Sequence, residues 1–317
     1  MMTSRKDLLD IDSLSTEEIG HLLESAAPFK QLLRKSVKKV PTLRGKTVLT
    51  LFYEPSTRTR SSFEVAAKRL SADVIHFAVS QSSVMKGESV LDTVDTLQAM
   101  RADYIVVRHP AAGVPNQIAR HTRASVINAG DGSHAHPTQA LLDAFTLREV
   151  HDNLAGLKVL IVGDILHSRV ARSTGRILWK LGAEVGVLGP GSLIPAGRPD
   201  FMTAFRNYDE VFEWSPDVVY LLRVQVERQR EPFFPGGSEY HRLYGLTDER
   251  LARVRAKRIW VMHPGPVNRG VELADSVMSY ERSLIDEQVE NGIAMRMAVL
   301  YWLLPETVAG PREEEET

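Results

Sequence analysis

Hydrophobic positions fall into two alternating patterns along the chain. The run at 48–53, Val-Leu-Thr-Leu-Phe-Tyr, is apolar enough for a buried strand, and after a polar turn Phe63, Ala66, Ala67 and Leu70 recur at the spacing of one helical face. Short apolar strands are predicted again at 74–79, 104–107 and 125–128, separated by helical stretches, with a further helix over about 138–150. Ahead of them, Ser15 and Glu18 form a capping box for a helix whose stripe is Ile19, Leu22, Leu23, Ala26, Phe29, Leu32 and Leu33, with a kink expected near Pro28. Strands alternating with helices mean βαβ units, and hence a parallel sheet covered on both faces.

The pattern then restarts. Strands are predicted at 159–163, 184–188, 217–222 and 258–262, with a helix over about 169–181, Gly- and Pro-rich loops at 189–199 and 231–238, and a closing helix at 289–304. The polar stretch His151-Asp-Asn-Leu-Ala-Gly156 between the two sets is the expected boundary. The chain reads as α/β, with two doubly wound parallel-sheet domains at 1–150 and 151–288 and a solvated acidic tail at 305–317. A length of 317 residues accommodates two ordinary cores. By pattern alone, the closing helix could pack on either domain.

Composition narrows the function classes. A net charge of −1 gives no support for a nucleic-acid partner. The absence of cysteine removes disulfides, thiolate metal sites and a thiol nucleophile. The first residues lack the apolar core of a signal peptide, and the apolar stretch 293–304 is shorter than the ~18–20 residues of a membrane span and contains Arg296. A cytoplasmic protein with no membrane partner is expected.

Between the first strand and its helix lies Glu54-Pro-Ser-Thr-Arg-Thr-Arg60. Pro55 suits a turn, and Ser56, Thr57 and Thr59 are N-cap candidates at the positive end of a helix, where backbone N–H groups lack partners and bind anions. Arg58 and Arg60 add guanidinium forks that match phosphate or carboxylate oxygens. A lone Ser-Thr-Arg reads better as an ordinary capped surface helix; two Thr-Arg pairs on one turn point to a small phosphorylated metabolite. No Walker lysine motif is present and no GxGxxG follows a strand.

Polar clusters recur directly after later strands: Arg108-His109-Pro110, the segment from Asn128 to Gln139, the segment from Gly163 to Arg169, Arg223-Val-Gln225 and His263-Pro-Gly-Pro266. Ligands of open parallel sheets bind outside the carboxyl ends of the strands, so these clusters describe one cleft shared by two domains. Its cations, Arg58, Arg60, Arg108, Arg169, Arg223 and Lys86, call for polyanionic ligands, although a single arginine is more often a structural ion-pair partner. His134 and His136 lack a third ligand at a recognisable spacing, so no metal is expected. His136 is better read as a donor to a carbonyl oxygen, stabilising a tetrahedral oxyanion. No GxSxG or Ser-His-Asp set stands out, so no acyl-enzyme is indicated.

In order along about 5–304, FYEPSTRTRSSFE, SSVMKGES, VVRHP, NAGDGSHAHPTQALLD, VGDILHSRVARS, LLRVQVER and MHPGPVNRGVE resemble the motifs of the aspartate/ornithine transcarbamoylase family. His263-Pro-Gly-Pro266, in place of a cysteine-bearing His-Cys-Leu-Pro, and LLRVQVER are similar to its aspartate branch; an ornithine-type enzyme and a non-catalytic carbamoyl-phosphate-binding relative are the alternatives. The resemblance implies carbamoyl transfer from carbamoyl phosphate to L-aspartate in pyrimidine biosynthesis, without a cofactor. It places carbamoyl phosphate in the first domain and aspartate in the second, and returns the closing helix to the first. Ser56, Thr57, Arg58 and Thr59 would hold the phosphate. Thr59, Arg108 and His136 would polarise the carbamoyl oxygen, and Gln139 with the backbone of Pro264, Gly265 and Pro266 would orient the carbamoyl nitrogen. Arg169, Arg223 and Gln225 would grip aspartate.

Ser82 and Lys86 match residues that reach in from a neighbouring subunit, implying a homotrimer; association with regulatory chains or dihydroorotase is left open. Some members carry Leu at the position of Gly265, whose role is played by backbone. The 231–238 loop is a candidate for closing over aspartate.

Overall fold

The computed structural model describes residues 5–77, 89–224 and 236–304. Its first half runs α1 (Thr16–Leu33), β1 (Thr47–Phe52), α2 (Thr57–Arg69), β2 (Asp73–Phe77), α3 (Val90–Ala99), β3 (Tyr104–His109), α4 (Val114–His121), β4 (Ser125–Asp131) and α5 (Pro137–Arg148). The four strands form a parallel sheet in the order β2-β1-β3-β4. The second half runs β5 (Lys158–Val162), α6 (Arg169–Lys180), β6 (Glu184–Leu188), β7 (Met202–Phe205), α7 (Tyr208–Trp214), β8 (Val218–Leu221), α8 (Gly237–Tyr244), α9 (Asp248–Ala256), β9 (Trp260–Met262) and α10 (Ile285–Trp302). Its sheet, also parallel, has the order β7-β6-β5-β8-β9. These are the two α/β sheets that the alternation of periods anticipates.

The apolar positions behave as their spacing requires. Phe63, Ala66, Ala67 and Leu70 are fully buried, as are Val48, Leu49 and Leu51 of the central strand β1. The capping box of α1 forms, with Ser15 N–H on Glu18 Oε2 at 2.7 Å and Glu18 N–H on Ser15 Oγ at 3.1 Å, and the helix continues through Pro28 to Leu33. Residues 151–156 run between α5 and β5.

Several elements depart from expectation. Strand β7 and helices α7, α8 and α9 have no counterpart in the sequence reading: β7 is a four-residue edge strand, and the helices are 7–9 residues long, too short for a clear period. Gly237 and Ser238, expected in a loop, open α8, and 231–235 lie outside the described residues. Helix α10 starts four residues before its expected position: its first turn carries the exposed acids Asp286 and Glu287, ahead of the apolar run from which the helix is read. It returns to the first sheet, packing against α1, α2 and α5. There Lys30 of α1 bonds Glu149 at 2.6 Å, and Asn291 of α10 bonds Thr146 and Glu149 at 3.0 and 2.6 Å. Helix α5 packs in turn on α6, and one apolar cluster runs from Val48 through Leu141 to Val159 and Ile161.

Candidate active site

In each sheet the strand order reverses at one place, between β1 and β3 in the first and between β5 and β8 in the second. At such a switch point the connections leave in opposite directions and open a crevice at the carboxyl ends. One cavity of about 710 Å³ joins the two crevices, within the range of a small-molecule site. Ser56, Thr57, Arg58 and Thr59 enter it after β1, Arg108 from the end of β3, and His136 and Gln139 from the start of α5. From the second sheet come Asp164, His167, Ser168 and Arg169 after β5, Arg223 after β8, and His263 to Val267 after β9. Gly265 and Pro266 are therefore brought to the same space as Arg58. Ser82, Lys86 and Gln225 lie outside the described residues.

Arg60 does not line the cavity. It is exposed, because a position two residues beyond Arg58 on a helix is turned about 200° away. His109 is also absent from the lining: its Nδ1 accepts from Ala111 N–H at 2.9 Å, and it shapes its own turn. His134 and His136 diverge, the former pairing with Asp131 at 3.0 Å and lining a separate cavity of about 270 Å³.

Local geometry explains the positions of the cations. Ser56 occupies the N-cap of α2, yet its hydroxyl makes no capping bond, so it leaves the first-turn N–H groups of that helix uncapped beside the cavity. Arg58 lies over Gly265, whose φ of +66° suits glycine; a Cβ there would overlap the guanidinium, 2.9 Å from its Cζ. Arg169 opens α6 behind the Ser168 cap and is almost wholly buried. Glu54 Oε2 bridges Arg169 Nη2 at 2.9 Å and Arg108 Nε at 3.3 Å. Both guanidiniums crowd Gly130, where a Cβ would come within 2.8 Å of Arg169 Nε and 3.3 Å of Arg108 Nη1.

His136, the N-cap residue of α5, is fixed by its backbone N–H on Ser173 Oγ at 2.9 Å, and its Nδ1 is buried without a hydrogen-bond partner. Burial, and then the charges of Arg169, Arg108 and Arg296, push its pKa well below 6.5, so the imidazole is neutral. His263 is likewise depressed by burial against the opposing pull of Glu272; its Nδ1 accepts from Gly265 N–H at 2.9 Å, which shapes the loop under Arg58. Glu272 itself accepts from Val224 N–H and Asn268 N–H, each at 2.7 Å, anchoring the chain just after Arg223.

Sequence reasoning gave no role to Glu54, Asp143, Glu272, Gln288 or Arg296. Glu54 had a signal, a lone acid heading a cationic turn. Asp143 had another, a carboxylate inside the apolar run Ala-Leu-Leu-Asp-Ala-Phe. Gln288 and Arg296 reach the cavity only because α10 folds back across the molecule.

Two parallel sheets meeting at a cationic cleft, with a helix N-terminus on one wall and Arg169 and Arg223 on the other, define an α/β protein built to hold anionic metabolites. Residues 6–149 match the model of the aspartate/ornithine carbamoyltransferase carbamoyl-P binding domain, and 155–303 match that of the Asp/Orn binding domain. The chain belongs to the aspartate/ornithine carbamoyltransferase family. It is 65% identical over 303 residues to the aspartate carbamoyltransferase catalytic subunit of Akkermansia muciniphila, covering 96% of this chain and 98% of that one. Its identity to the corresponding subunit of Carboxydothermus hydrogenoformans is 54% over 303 residues, with 95% and 97% covered. Among solved structures it is similar to the M. jannaschii aspartate transcarbamoylase catalytic subunit (TM-score 0.82, 34% identity, 96% and 99% covered). It is also similar to the Trypanosoma cruzi enzyme in complex with N-(phosphonacetyl)-L-aspartic acid (TM-score 0.83, 28% identity, 94% and 96% covered).

Proposed function

We propose that this protein transfers the carbamoyl group of carbamoyl phosphate to the amine of L-aspartate, giving N-carbamoyl-L-aspartate and phosphate, as a cytoplasmic step of pyrimidine biosynthesis. The observation that carries this reading is the single cavity lined by Arg58 from the first sheet and by Arg169 and Arg223 from the second. A phosphate on one wall and a dicarboxylate on the other would each meet guanidinium donors while amine and carbonyl are held together, which removes much of the entropic barrier.

In this reading the first domain, 1–150 with the closing helix, holds carbamoyl phosphate, and 151–288 holds aspartate. Ser56, Thr57, Arg58 and Thr59 bind the phosphate, and Arg58 offsets the charge that builds on it as it leaves. Thr59, Arg108 and His136 polarise the carbonyl; a neutral imidazole can donate one hydrogen bond to the oxyanion without repelling the neighbouring arginines. Gln139 and the backbone at Pro264, Gly265 and Pro266 receive the carbamoyl nitrogen. Arg169, Arg223 and Gln225 hold the aspartate carboxylates. The amine attacks the carbamoyl carbon, a C–N bond forms through a tetrahedral intermediate, and the C–O bond to phosphate breaks as the amine's proton passes to the departing phosphate. No residue is acylated.

The working unit in this reading is a homotrimer in which Ser82 and Lys86 reach in from a neighbouring subunit. A carbamoyl-transfer assay with aspartate and ornithine tests the activity, and turnover of ornithine but not aspartate would refute it. Subunit-exchanged mixtures of Arg58→Ala and Lys86→Ala test the sharing, with partial recovery of activity expected. The mass of the purified particle, alone and with regulatory chains or dihydroorotase added, tests the assembly.

A further inference from the structure

Asp143, on α5, is fully buried and accepts four hydrogen bonds. Its Oδ1 takes Gln139 Nε2 at 2.9 Å and Gln288 Nε2 at 2.8 Å. Its Oδ2 takes Thr174 Oγ1 at 2.9 Å and Tyr220 OH at 2.8 Å. The donors come from α5, α10, α6 and β8, so one carboxylate ties elements of both sheets. Burial pushes its pKa up to about 6, against the pull of those donors, which leaves it ionised at neutral pH.

An ionised carboxylate only accepts, and this decides which way each neighbouring amide faces. Gln139 lines the cavity; with Nε2 on Asp143, its oxygen is left as the end that meets a ligand. Gln288 likewise spends Nε2 on Asp143, and its Oε1 accepts His263 N–H at 2.9 Å. The His263–Pro266 turn, which lines the same cavity, is thus hung from the same carboxylate.

Resting on the carbamoyl-transfer reading, we propose that Asp143 is a positioning residue for substrate selection: it fixes the Gln139 amide with its oxygen as the free acceptor and, through Gln288, holds the His263–Pro266 turn in place beside it, so the site takes a carbonyl bearing N–H and rejects one bearing methyl. Carbamoyl and acetyl phosphate differ at that place alone. A site with fixed acceptors rejects a partner without the donor because the acceptors are then buried unpaired.

The test uses full-length protein carrying Asp143→Leu, which keeps the bulk of the side chain but removes both acceptor oxygens, so that neither glutamine is held with its Nε2 inward. The readout is the ratio of the inhibition constant of acetyl phosphate to the KM of carbamoyl phosphate. We expect this ratio to fall at least tenfold, through KM, with acetyl phosphate binding within about twofold of wild type. Thr174→Val removes a donor from the other oxygen and serves as the structural control, with the ratio unchanged. Should Asp143→Leu not fold, Gln288→Leu carries the test by releasing the His263 turn, with a fall of severalfold expected. An unchanged ratio in either folded variant, or an equal fall in Thr174→Val, overturns the proposal. A wild-type protein that turns over no carbamoyl phosphate with aspartate would overturn the functional reading instead, and the two failures are read from different proteins.

Discussion

Removing the Glu54 carboxylate should destabilise the protein by an amount that the arginines around it set. Its Oε2 lies 2.9 Å from Arg169 Nη2 and 3.3 Å from Arg108 Nε, and the three side chains are only 13%, 5% and 11% exposed. Glu54→Ala removes the carboxylate that bridges the two guanidiniums crowding Gly130. Losing one partner of a buried ion pair costs about 3–5 kcal/mol. The lower end applies here, because Arg169 Nη1 keeps the Gly132 carbonyl at 3.2 Å and Arg108 Nη1 keeps the Ala129 carbonyl at 3.3 Å. With an unfolding entropy of about 2.1 cal/mol/K per residue over 317 residues, or roughly 0.7 kcal/mol/K, a loss of about 3 kcal/mol lowers Tm by about 4–5 °C.

Scanning calorimetry with and without phosphate or a phosphonate-dicarboxylate checks both halves of the reasoning. An anion that replaces the missing carboxylate binds the variant more tightly, so one concentration should raise the variant's Tm more than the wild type's. A Tm drop under about 1 °C, or equal rises in both proteins, would refute the account. Glu54→Gln, which keeps one acceptor oxygen but no charge, should fall between the two.

Arg58→Ala should lower kcat about 10²–10³-fold if its guanidinium meets the charge of the departing phosphate, and steady-state kinetics showing less than a tenfold loss would contradict that role. Gly265→Ala places a methyl against Arg58 at φ +66°; it should cost about 1–2 kcal/mol in backbone conformation and raise the KM of carbamoyl phosphate severalfold, whereas unaltered kinetics would exclude the contact. His136, with its pKa held well below 6.5, should remain neutral down to pH values where an ordinary histidine is charged; ¹⁵N chemical shifts of its ring, followed on acidification, would expose any titration near 6.5. Asp143 has the opposite sense. Its folded pKa of about 6 lies above the ordinary 3.8, so its stabilising contribution is complete below about 3.8 and is lost as pH rises through about 6, with Gln139, Gln288, Thr174, Tyr220 and the charge of Arg296 facing it. The unfolding free energy of wild type relative to Asp143→Asn should therefore decline over that window, and a flat difference would rule the shift out.

The sequence by itself determined the local terms. Apolar runs and period-3.6 stripes depend on neighbours within one element, so β1, α2 and the βαβ alternation follow from Val48, Phe63 and Leu70 without knowledge of the fold. Motif chemistry is equally local: Arg108 closes a strand and Ser56 to Arg58, His136 and Arg169 come after strands, and a parallel sheet sends every strand end to one edge. What only the tertiary structure decided is which side chains share space. Arg58 and Arg60 are chemically alike in the sequence, yet helical rotation admits one and excludes the other. Gln288 and Arg296 sit on a helix buried on nearly all sides, where no amphipathic face reveals a function. Asp143 becomes an organiser only when α6, β8 and α10 bring Thr174, Tyr220 and Gln288 to it. Those partners are 31, 77 and 145 residues away along the chain, and no local pattern encodes contacts that chain folding alone creates.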